Sequence, residues 1–176
     1  MGWNAVLGSL DYFNNIYPSY NVYLYFPIPC FIAYALTGII FNWMTLKIDY
    51  RTLVICGVTV TNFSLFLLLI ISATCKNTED LGFWLSMVGT FIVGFFSNLA
   101  QLSFFAMINY FGSKTVSRFT IGTAASGLAL IILRAIITIG FGGNDPGNII
   151  PIIIYFSISC LYNFLDLFLN IQMFKT

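Results

Sequence analysis

The chain has 176 residues, of which 59% are apolar, 18% aromatic and only 7% charged, with a mean hydropathy of +0.92. That composition lies outside the soluble globular range and describes an integral membrane protein, with the lipid bilayer as its first partner. A net charge of +1 with no basic cluster excludes a nucleic-acid surface, which needs cations to neutralise phosphates.

The chain has no histidine, and Cys30, Cys56, Cys75 and Cys160 are far apart in sequence. These facts argue against a zinc site, a disulfide framework and a Ser-His-Asp or Cys-His nucleophile. Neither a cofactor nor an enzyme activity is expected. The N-terminus has no basic segment ahead of an apolar run and a small-residue cleavage site, so no removable signal peptide is predicted.

In chain order, residues 3–13 read as a helix with Asn4, Gly8 and Asp11 on one face. At about 1.5 Å per residue it covers about half of a roughly 30 Å hydrocarbon core, which makes it a half-span. The turn Asn14-Asn15-Ile16-Tyr17-Pro18 is expected to end it. Residues 21–43 form the first full span, with Pro27 and Pro29 near its start, where they kink or delay regular helix.

Further spans are read at 52–75, 81–111, 119–141 and 149–174. The 81–111 run is long enough that it must tilt, kink or project beyond the bilayer, and Gly82, Gly89 and Gly94 are places where it could bend. In 119–141, Gly122 with Ser126 and Thr123 with Gly127 are small residues four apart, which predicts close helix packing. Gly140 to Gly147, with Asn144, Asp145 and Pro146, reads as a turn. The predicted fold is all-α: a single polytopic transmembrane bundle of one half-helix and five full spans.

Loop charge gives an orientation. Lys47 and Arg51 in 44–51, Lys114 and Arg118 in 112–118, and Lys175 at the C-terminal end fall on one side, whereas the other side has only Lys76, offset by Glu79 and Asp80. The basic side is expected to be cytoplasmic, or matrix if the membrane is the mitochondrial inner one.

Polar groups inside apolar runs are costly in hydrocarbon unless satisfied, so they mark faces turned toward protein or a wet cavity. Gly94, Ser97 or Asn98, Gln101 and Phe105 are read as sharing one face of the 81–111 helix. That face either binds a solute or fixes helix packing through interhelical hydrogen bonds. Trp3 fits an interfacial anchor. Arg134 could snorkel outward, but Thr123, Gly127, Leu130 and Arg134 share a face, so inward pairing is preferred. By depth, Asp11 is its predicted partner, Asp145 lies at similar depth, and Asp166 lies too far down its helix, near the opposite surface.

The order of these residues resembles a known family. Trp3-Asn4 on a first helix ending in Asp11-Tyr12-Phe13 resembles the first helix of equilibrative nucleoside transporters. Gly94 followed by Gln101 and Ser103 is similar to that family's fourth-helix pattern, and Gly122 and Gly127 before Leu133-Arg134 to its fifth. Arg51 sits where the family often has a basic residue entering its third helix.

The resemblance implies the N-terminal six-helix bundle of a major-facilitator-like transporter. It also implies a nucleoside cavity with Trp3 as a stacking wall, Asn4, Ser97 and Gln101 as its polar lining, and Arg134 as a polar lock. Leu102 and Phe105 stand where the family has glycines, and Asn98 where a small residue is common, so the pocket is expected to be narrowed or filled. Family members carry a second bundle that this sequence lacks. The favoured expectation is therefore an accessory subunit that packs its former cavity face against other transmembrane subunits. The alternative is facilitative nucleoside transport.

Overall fold

The computed structural model describes residues 2–75, 78–140 and 150–173, all helical apart from short connections. The expected turn at Gly140 to Gly147 falls largely on residues outside this set; Lys76, Lys175 and the side chain of Asp166 also lie outside it.

The N-terminal segment forms two short helices, α1 (Gly2–Leu7) and α2 (Leu10–Ile16), rather than one. The break falls at Gly8 and Ser9, where the Ser9 hydroxyl donates to the Ala5 and Val6 carbonyls and competes with the regular ladder. Asn14, Asn15 and Ile16 are helical, so the turn begins at Tyr17, later than the Asn-Asn pair suggested.

A single turn of helix, α3 (Val22–Tyr25), leads into α4 (Pro27–Thr45). Pro27 starts α4 because the first helical position needs no backbone donor. Then come α5 (Tyr50–Thr74), α6 (Glu79–Ile108), a short 3-10 turn Asn109–Phe111, α7 (Ser113–Gly140) and α8 (Ile150–Met173). Only Gly112, with φ of 89°, separates the 3-10 turn from α7. Lys114 and Arg118 therefore lie on a helix rather than in the predicted loop.

Among the described residues four stretches are long and apolar enough to cross a membrane: Val22–Thr45, Tyr50–Thr74, Glu79–Phe111 and Ser113–Gly140. The apolar part of α8, Ile150–Leu165, is shorter.

The core is built on α6, which packs most extensively against α5 and α4. Glycine makes both approaches possible. A Cβ at Gly57 would lie 2.8 Å from the Phe96 carbonyl oxygen and 2.8 Å from Ala100 Cβ; one at Gly94 would lie 2.9 Å from Cys30 Sγ. α6 runs unbroken through its glycines, so Gly94 serves close approach here rather than a break in the helix.

At the acidic end, Phe13, Tyr17, Phe26 and Phe83 form an aromatic cluster, with Tyr20 stacked on Phe83 at 3.9 Å between centroids. The Ser19 hydroxyl and backbone N–H donate to Glu79 at 3.0 and 2.8 Å, and Tyr20 donates to Asp80 at 2.6 Å. That bond to the Asp80 carboxylate is the largest cause raising the Tyr20 phenol above its ordinary value. A group raised in the folded state stabilises below its unfolded pKa and loses that contribution as pH climbs through the folded one. The Tyr20–Asp80 bond is therefore intact at neutral pH and is lost as the phenol ionises in alkali.

Candidate functional site

The 97–101 region of α6 borders a cavity of about 230 Å³ where α5, α6, α7 and α8 meet the start of α1. Its polar lining comes from Thr61, Ser97, Gln101, Thr123, Tyr162 and Asn163; Phe104 and Phe119 supply apolar wall. No charged side chain is on this surface.

The polar residues expected on one face of α6 divide between two neighbours. Gly94 and Asn98 are one turn apart and face α4: Gly94 lies against Cys30, and the Asn98 amide donates to the Tyr34 carbonyl at 3.1 Å. Ser97 and Gln101, the neighbouring pair one turn apart, border the cavity, and the Ser97 hydroxyl also meets the Tyr34 side chain of α4. The cause is angular. Residues 94 and 97 differ by about 60° around the helix, which is enough to reach different neighbours when three helices pack around one. Phe105 belongs to neither set, being edge-on to Phe119 at 4.9 Å between centroids.

The predicted Asp11 and Arg134 contact is formed, with Nη2 of Arg134 donating to Oδ2 at 3.1 Å and to Oδ1 at 3.4 Å. The guanidinium also lies 5.8 Å from the Tyr155 ring centroid, and its Nε and Nη1 are buried without a partner. Of α1, Gly2 lines the cavity, whereas the expected site residues Trp3 and Asn4 do not. Trp3 is half-buried and edge-on to Phe31 of α4 at 6.4 Å between centroids. The carbonyl of Asn4 accepts from the Tyr155 hydroxyl at 3.3 Å. Its amide lies against Gly127, where a Cβ would come within 3.1 Å of Nδ2.

The small residues on α7 do two different things. Gly127 admits Asn4, but a Cβ at Gly122 would meet nothing within 4 Å, because that part of α7 stands off from its neighbours and edges the cavity. Gly122→Ala is accordingly expected to change stability by less than about 0.5 kcal/mol, as checked by thermal melting in detergent. Ser126 is buried, with its hydroxyl donated to the Thr123 carbonyl at 2.7 Å. Arg51 opens α5, away from the cavity, at the end that also carries Lys47.

Sequence reasoning missed the pair Asn62 and Asn163. These amides are buried between α5 and α8, with Asn163 Nδ2 donating to Asn62 Oδ1 at 2.8 Å. The available signal was the one used for Asn98: an amide in the middle of a span. Asn62→Leu is expected to cost about 1 to 3 kcal/mol, because it strands the Asn163 donor, and a melt of the variant checks this.

Among the described residues no three His, Cys, Asp or Glu side chains converge as a metal site. The chain matches none of the protein-family models, none of the curated proteins and none of the solved structures with which it was compared.

Proposed function

We propose that this chain is a transmembrane subunit of a larger membrane assembly, in which the polar wall of Ser97, Gln101, Thr123 and Asn163 is covered by a second transmembrane component. The observation that carries the reading is the cavity itself: it opens between apolar helices, and hydrocarbon there would leave the Gln101 amide and the spare acceptor capacity of the Thr61, Thr123 and Asn163 oxygens without partners. On this reading α1 and α2 make a half-crossing and α8 a fifth crossing. The bundle is then like the N-terminal half of a major-facilitator-like transporter retained as an accessory, with no catalytic role. The charge distribution suits a membrane with the Lys47, Arg51, Lys114 and Arg118 end toward the cytoplasm, or toward the matrix in a mitochondrial inner membrane.

A second reading, facilitated passage of a nucleoside, is favoured by Gln101. Its amide borders the cavity and has no hydrogen bond among the described residues, so it could offer a donor and an acceptor to a neutral solute.

Extraction from the native membrane in mild detergent separates the two. The subunit reading expects the 19.7 kDa chain to migrate within a stable, larger complex. A chain that migrates alone, with nucleoside uptake that falls in Gln101→Ala, would establish the second reading instead.

A further inference from the structure

We propose that the cavity also binds a small solute of definite chemistry: an uncharged single ring that carries several hydroxyl or amino donors. This goes beyond the subunit role: the second component closes the open side of the cavity, and the solute fills the space behind it.

The Thr61 hydroxyl donates to the Gly57 carbonyl at 2.7 Å, and the Thr123 hydroxyl to the Phe119 carbonyl at 3.0 Å. Each has one proton, so toward the cavity each oxygen can only accept. Asn163 commits one Nδ2 proton to Asn62 at 2.8 Å, which fixes its amide and leaves Oδ1 able to accept. Ser97 interacts with the Tyr34 side chain, and Gln101, which has no hydrogen bond among the described residues, and Tyr162 can each donate or accept. With the Thr61 and Thr123 oxygens restricted to accepting and the other lining groups able to accept, the surface rewards a ligand that brings donors.

Charge and size narrow the class. No ionised group lines the cavity, so a phosphate or carboxylate would enter a low-dielectric site uncompensated. At about 230 Å³ the space is half as large again as a cavity of about 150 Å³ that holds benzene, which suits one substituted ring. Phe104 and Phe119 offer apolar wall to the ring's less polar face.

Equilibrium binding of tritiated myo-inositol tests this, using the full chain with its copurifying partners in lipid nanodiscs. Saturable binding is expected, unaffected by excess hexa-O-methyl-myo-inositol, which has the same ring without donors, or by myo-inositol 1-phosphate. Binding should weaken at least tenfold in Asn163→Ala. It should also weaken in Gln101→Ala, a variant that breaks no hydrogen bond among the described residues and so keeps the test valid if the first fails to fold. Equal competition by the methylated ring or the phosphate, or no saturable binding of myo-inositol, would overturn the proposal. A captured partner without solute binding would sink this proposal alone; solute binding by a chain that migrates singly would sink the subunit reading alone.

Discussion

Gly57→Leu is expected to destabilise the bundle by roughly 3 kcal/mol, the upper range for forcing volume into a packed interior. Any side chain at position 57 starts with a Cβ 2.8 Å from the Phe96 carbonyl oxygen, and backbone cannot rotate aside as a side chain can. Relief requires α5 and α6 to separate along the most extensive contact in the molecule. The separation would also disturb the Thr61 hydroxyl, which is anchored on the Gly57 carbonyl. Thermal melting of the purified protein measures the effect, and a variant that melts with the parent would show that this approach is not what positions α6.

The ion pair gives the second large effect, and its asymmetry is the informative part. The Arg134 side chain is 13% exposed and that of Asp11 is 56% exposed. Asp11→Ala leaves a buried guanidinium with no anion, whereas Arg134→Met leaves a carboxylate at the surface of the bundle. The expected loss is about 2 kcal/mol for Asp11→Ala, less than the full penalty of a wholly buried pair because one partner is half-exposed, and under about 1 kcal/mol for Arg134→Met. The double variant should resemble Arg134→Met. A greater loss from Arg134→Met than from Asp11→Ala would mean that the guanidinium's packing against Tyr155, not its charge, holds α7 to the bundle.

These two cases also mark how far the sequence could be read. Arg134 was legible because charge and depth are one-dimensional: counting residues from the end of a span places it level with Asp11. Four of the five expected spans were legible for the same reason, since long apolar runs bounded by polar turns suit few other structures; the last, 149–174, has an apolar part of only Ile150–Leu165 among the described residues. The α6 motif was only partly legible. Helical periodicity groups Gly94, Ser97, Asn98 and Gln101 within one arc, but whether the arc meets one neighbour or two depends on packing. Asn98 serves α4 while Gln101 borders the cavity.

The small residues of α7 show a related limit. Glycine permits close approach without requiring it, and Gly122 has nothing near it whereas Gly127 meets Asn4. Asn62 and Asn163 are each ordinary alone; their meaning lies in a contact across 101 residues of chain.

The central claim is that the polar wall at Gln101 is covered by protein. A photo-crosslinking amino acid at position 101, activated in native membranes, tests it most directly, with the same group at Phe63, which is 69% exposed on α5, as the comparison. A discrete polypeptide adduct is expected from position 101 and not from position 63. Lipid adducts alone at both positions would contradict it.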